Sequence, residues 1–189
     1  MHGPYTARHL MLLYGYDDVR NSAVIDYINE GLREGKLVIY ASVDADSKSH
    51  MSRISLGITD YEGNLDRGDL LILNIRKFYD QALDGDLEPF RDLKVILEEA
   101  AKERTATGKR DDVIVVADCA ENLSRNERFA TCFDVENWWQ NTHFEWLEKN
   151  LRITVICPHQ RPQSGNGSFM QHLQLISHLH SETITALGK

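Results

Sequence analysis

Five apolar segments, near residues 10–14, 37–43, 69–75, 112–118 and 152–157, alternate with stretches whose apolar residues recur every three or four positions. That alternation predicts an α/β fold with a mostly parallel sheet of five or more strands. The central segment, Asp-Val-Ile-Val-Val-Ala-Asp at 112–118, is β-branched and apolar throughout, as a strand covered on both faces must be. The long connections carry helices to both faces, giving a three-layer sandwich.

The first unit spans residues 9–46 and reads strand, loop, helix, strand. The first strand ends at Gly15, and a polar loop is expected as far as Ser22. Val24, Tyr27, Ile28, Gly31 and Leu32 then keep the spacing of one helix face, and Gly35 closes the helix. A short helix is expected at 47–56, with Ser47 as its cap. A turn-rich segment covers 60–68, and Leu-Leu-Ile-Leu centres the third strand. Phe90, Leu93, Ile96, Leu97, Ala100 and Ala101 mark a helix over 87–105. A long helix is predicted for 125–150 and a last one for 169–180. Pro158 is expected to stop the fifth strand, with a flexible Gly-containing loop at 161–167.

Length fits one domain with a sizeable core, so residues 1–189 are expected to form a single unit. Twenty-nine acidic against 21 basic residues give a net charge of −8, which repels nucleic acid and anionic membrane alike. Three irregularly placed cysteines, no apolar leader and no run near the ~20 apolar residues of a membrane span predict a cytoplasmic protein.

In parallel sheets of this kind ligands bind beyond the carboxyl ends of the strands. That rule gathers Tyr14, Gly15, Tyr16, Asp44, Asp46, Asp118, Cys119, Cys157 and His159. The first strand-to-helix turn also overlays the phosphate loop G-x-x-x-x-G-K-[ST]. Gly15 and Ser22 fit its first and last positions. Arg20 replaces the second glycine, Asn21 replaces the lysine, and Asp17 and Asp18 bring carboxylates to where backbone donors should meet phosphate.

Residues 27–40 (Tyr-Ile-Asn-Glu-Gly-Leu-Arg-Glu-Gly-Lys-Leu-Val-Ile-Tyr) and the Val-Ile-Val-Val-Ala-Asp ending at Asp118 resemble the KaiC and RecA group of P-loop ATPases. Asp118 then matches a Walker B carboxylate, and Asp44-Ala45 stands where working members carry paired glutamates. The order of His9, residues 30–35, Glu145-Trp146-Leu147, residues 156–159 and His180 is similar to the MEDS domain, the methanogen and methylotroph sensory domain. That resemblance implies a KaiC-like sensory domain without a proper phosphate loop, sensing small hydrocarbon derivatives. Pro158-His159 and the loop after it depart from the family pattern, so effector identity does not carry over.

The expected function is therefore non-catalytic: a small effector binds near the degenerate nucleotide site through Tyr14, Gly15, Tyr16, Arg20, Ser22, Asp44, Asp118, Cys157 and His159. Self-association or a signalling or transcription partner supplies the output. One rival is a degenerate ATP binder or weak ATPase in which Ser22 and Asp118 hold Mg-ATP and Arg20, or an arginine from a neighbouring subunit, replaces the lysine. The other is an assembly module using Trp138 and Trp139. ATP and magnesium are disfavoured because the loop lacks its cation, and Asp118 is expected to accept hydrogen bonds rather than ligate a metal. No metal is expected, although Cys157, His159, His180, His9, Cys119, His178 and Asp118 include soft-metal ligand types. A Cys119 or Cys157 nucleophile activated by His159 is disfavoured, because Glu121 follows Cys119 and no oxyanion site is defined. The tryptophans are read as core first.

Overall fold

The computed structural model describes residues 7–109, 112–162 and 167–188. Among these, six strands form one all-parallel sheet in the order β3-β2-β4-β5-β1-β6. They are β1 (Arg8–Tyr14), β2 (Leu37–Ser42), β3 (Leu70–Asn74), β4 (Val113–Ala117), β5 (Ile153–Gln160) and β6 (Glu182–Thr185). The helices are α1 (Asp17–Arg33), α2 (Lys48–Ser55), α3 (Tyr61–Asp66), α4 (Arg76–Leu83), α5 (Phe90–Ala106), α6 (Cys119–Arg125), α7 (Phe129–Glu148) and α8 (Gly167–Ser177).

Alternation along the strands divides the apolar residues between two dry faces. Leu10, Leu12, Val38, Tyr40, Val116 and Ile156 meet α1 to α3 on one side. Met11, Ile39, Val115 and Cys157 meet α4 to α8 on the other, where Trp139 and Trp146 are fully buried core residues. Trp139 is thereby removed from any surface contact. No helix among the described residues is long and apolar enough to cross a membrane.

Several local expectations are corrected. The stretch expected to loop out to Ser22 is helical from Asp17, leaving only Gly15 and Tyr16 as connection. Asp17 and Asp18 occupy the first turn, where carboxylates favourably face the positive end of the helix dipole. Pro158 does not stop β5, which continues to Gln160. Arg161 N–H donates to the Tyr14 carbonyl, so odd positions of β5 address β1. Pro158 is an even position, and its missing donor falls on the β4 side, where pairing has already ended at Val116 and Ile156.

The helix expected over 125–150 is α7, which starts four residues later at Phe129; Arg125 ends the separate helix α6, and Glu127 between them takes a positive φ of 56°. The last helix ends at Ser177 and releases His178 to His180 into a turn. Edge strand β6 was not expected, because Glu-Thr-Ile-Thr carries one apolar residue, and neither was α4. The loop expected at 161–167 falls largely on residues 163–166, and the leaderless N-terminus on 1–6, both outside the described residues.

Helix α1 ends in a Schellman turn: Gly35 has φ +72°, and Lys36 N–H reaches the Gly31 carbonyl at 2.9 Å. Gly31 lets this helix lie against the sheet. A Cβ there would stand 2.8 Å from Val38 Cγ2 and 2.9 Å from Ile114 Cδ1. Gly31→Val is expected to destabilise the protein by about 1–3 kcal/mol through overpacking. An unchanged urea midpoint for that variant would contradict the close approach.

Candidate functional site

The parallel strands end together, and their carboxyl ends carry a buried ionic cluster. Arg20, one turn into α1, points back over the sheet with its side chain 6% exposed. Its Nε lies 2.9 and 3.0 Å from the two Glu121 carboxylate oxygens, and Nη2 lies 2.7 Å from Oε2, a forked charge-assisted pair. Nη2 also stands 3.5 Å from Asp118 Oδ2, and the Tyr14 hydroxyl donates to Glu121 Oε1. Asp118 accepts from Ser42 Oγ at 2.6 Å and from Val43 N–H at 2.8 Å, so it is a hydrogen-bond acceptor locking the end of β2 to the end of β4.

Two carboxylates here face one buried guanidinium. Burial raises the Asp118 carboxyl to about 6, with Glu121 adding to the rise while Arg20, Ser42 and Val43 oppose it. Burial works against Arg20, but Glu121 above all holds its charge firmly in place. Burial pushes the Tyr40 hydroxyl up to about 12, so it donates to His50 Nε2, 2.7 Å away. Burial, then Arg20, lowers the His50 imidazole and favours its neutral, accepting form. Above the cluster opens a polar cleft of about 500 Å³, lined by Asp17, Asn21, Asp44, His50 and Arg53 among others.

The expected site residues divide. Tyr14, Arg20 and Asp118 meet in the cluster, and Asp44 reaches the cleft while pairing with Arg76 at 2.7 Å. Tyr16 is mostly exposed, and Gly15 makes the short turn beside it. Ser22 lies on a different side of α1, in a shallow groove with residues 186–188, and cannot share an ion with Asp118. Asp46 bonds Asn74. Cys119 is buried, and its thiol is pushed up first by burial and then by Asp118, the opposite of nucleophile activation.

Cys157 and His159 are not in the cleft. Their side chains face α7, where they join His9 from β1, Glu136 from α7 and His180 from the turn after α8. Glu136 is 0% exposed. Its Oε2 lies 3.0 Å from His9 Nε2 and 3.2 Å from His180 Nε2, and its Oε1 lies 2.7 Å from His159 Nε2. Burial alone would raise this carboxyl, but the imidazoles, His180 first, hold it well below the usual range. Cys157 Sγ is 3.5 Å from His9 Nε2.

Sequence reasoning missed Glu121, Tyr40, Ser42, His50 and Glu136. Two signals were present. Glu121 stands three residues after Asp118 across a strand end, and Glu136 interrupts the buried stripe Cys132, Val135, Trp139 and Trp146 with a charge.

This sheet order, with helices on both faces, defines a three-layer α/β protein of KaiC-like, RecA-type fold. The fold is similar to that of a KaiC-like protein from the hyperthermophilic archaeon Pyrococcus horikoshii: TM-score 0.56 and 15% identity, covering 94% of this chain and 70% of that one. Residues 8–173 match the family described as MEDS, the methanogen/methylotroph, DcmR sensory domain, and the chain belongs to that family. No curated protein matches.

Arg20→Met strands Glu121 and Asp118 without their cation, and is expected to cost about 3–5 kcal/mol in urea unfolding. A loss below 1 kcal/mol would show that the pair contributes little. The raised Asp118 carboxyl stabilises the fold fully below its unfolded value of 3.8, and that contribution is lost as pH rises through about 6. Over this window the protein should lose about 3 kcal/mol relative to Asp118→Asn, and parallel stability profiles for the two proteins would refute the shift.

Proposed function

We propose that the chain is a non-hydrolysing sensory module that reads a small polar effector in the cleft over Arg20, Asp118 and Glu121. What supports this most directly is the use of Arg20. In a phosphate-binding relative, the turn after the first strand presents backbone donors and a lysine to the ligand. Here that turn is two residues long, and the nearby guanidinium is spent on two internal carboxylates.

An incoming triphosphate would meet Asp17, Asp44, Asp118 and Glu121 well within a Debye length of ~8 Å. Arg53 and Arg125 at the rim offset part of that repulsion, but Arg125 already pairs with Asp17 at 3.0 Å. The lining suits a hydrogen-bonding ligand, with neutral His50, Asn21 and Asn122 as uncharged contacts. The side chains of Arg20 and His50 respond first, because they join the cleft to α1, α2 and the ends of three strands. A partner protein or second copy then carries the output.

A second reading has its own observation. A groove of about 480 Å³ between α7 and α8 is lined by Phe129, Phe133, His172 and Leu175, a chemistry that suits a small apolar or halogenated effector better than the strand-end cleft does.

Thermal melts with millimolar Mg-ATP test the first claim. A site binding at about 10 μM would be stabilised by ~2.7 kcal/mol at hundredfold excess, moving the melt by more than about 5 °C. No such shift is expected, and one that large would sink the non-nucleotide reading. Small polar compounds and small halogenated hydrocarbons, run in the same assay, separate the two grooves. Replacement of His50 by Ala should remove a polar compound's shift, and Leu175→Glu should remove an apolar compound's shift.

A further inference from the structure

We propose that His9, Glu136, Cys157 and His180 form a buried site for a divalent transition ion of the zinc class. Their ligand atoms, two imidazole nitrogens, one carboxylate oxygen and one sulfur, all lie within 4.8 Å of one another. Four-coordination at metal distances of ~2.0–2.3 Å places ligand atoms about 3.3–3.8 Å apart. Of the contacts already present, 3.5 Å lies within that range and 3.0 and 3.2 Å lie just below it. Closure on an ion needs shifts of about an ångström.

The hydrogen bonding around the imidazoles prepares them for this role. His9 Nδ1 donates to the Leu179 carbonyl at 2.9 Å, and His180 Nδ1 donates to the Ile176 carbonyl at 2.8 Å. Each bond holds its ring with Nε2 turned toward the site, the arrangement by which proteins orient metal-binding histidines. Both Nε2 atoms are aimed at Glu136 Oε2, itself an acceptor. The His180 Nε2 is buried and, although close to that oxygen, makes no hydrogen bond of acceptable geometry. A carboxylate held this close to two imidazole nitrogens in a dry space requires either protons on those nitrogens, as at the 3.0 Å contact with His9, or a cation in their place.

A divalent ion meets that requirement with the correct charge. One thiolate and one carboxylate cancel its two positive charges, and the imidazoles add none, so the loaded site is neutral in an interior where a net charge is costly. The ion itself expels the Cys157 thiol proton, as zinc does on thiolate coordination. His159 holds the other carboxylate oxygen at 2.7 Å, which keeps Glu136 to one coordinating oxygen. Soft sulfur with imidazole favours zinc, cobalt or copper over magnesium or calcium.

Four protein ligands leave no open position, as in a structural centre. The ion would tie β1, β5, α7 and the turn before β6 together, fastening the short edge strand that few apolar contacts hold. This site lies across the sheet from the Arg20 cleft and is independent of the effector reading.

The test is cobalt loading. The full chain, without a histidine tag, is produced in minimal medium supplemented with cobalt so that the ion is present as the protein folds. Purified protein is expected to retain a single equivalent and show a near-ultraviolet thiolate-to-cobalt band with tetrahedral visible bands. The thiolate band should vanish in Cys157→Ser and persist in Cys132→Ser. Far-ultraviolet circular dichroism identifies a variant that has unfolded. Should Cys157→Ser unfold, Glu136→Gln replaces it, with shifted visible bands expected. Wild-type protein that carries no cobalt and no thiolate band overturns the proposal, leaving a hydrogen-bonded Glu-His cluster. Persistence of the band in folded Cys157→Ser, or unshifted bands in folded Glu136→Gln, also overturns it.

Discussion

Double coverage of the sheet is the constraint from which the polar architecture follows. Both faces of β1, β2, β4 and β5 are sealed by helices, so alternate residues of each strand enter one of two separate dry compartments. A polar side chain in either compartment must find its partners inside the protein, because unpaired buried groups cost several kcal/mol. Two polar clusters result. Tyr14, Tyr40 and Ser42 meet Arg20 at the strand ends, while His9, Cys157 and His159 meet Glu136 under α7.

At the strand ends, a buried cation is drawn into internal pairs beneath an open polar cleft. The connection between β1 and α1 is two residues long, and the Arg20 guanidinium is committed to Glu121 and Asp118. The surplus carboxylate explains why burial can push Asp118 up to about 6 despite a cation and two donors nearby.

Under α7, Glu136 places a charge in the buried stripe between Val135 and Trp139. Replacement by an apolar side chain would simplify packing, and helices in such positions normally choose one. Retaining the acid requires partners from β1, β5 and the turn after α8, segments distant in sequence. The same contacts bring the edge strand β6 into register with β1.

Periodicity alone determined the α/β class, the five core strands and most of the helices, because burial on a strand or helix leaves a repeat of two or of three to four that any window of sequence displays. Overlay of the phosphate-loop motif on Gly15 to Ser22 exposed the missing lysine and second glycine. Short elements escaped: β6 carries one apolar residue, α4 spans only two turns although Phe78, Tyr79, Ala82 and Leu83 keep helical spacing, and α1 begins at Asp17 through a dipole effect that hydrophobic spacing does not register. The candidate sites were legible only as a pool of strand-end residues. Tertiary structure alone decided that Arg20 turns inward to Glu121, that Ser22 faces away from Asp118, and that Cys157 and His159 point to the α7 face. The physical reason is that side-chain direction at a strand end depends on register and on which helix covers each face, and both arise from contacts between segments more than a hundred residues apart.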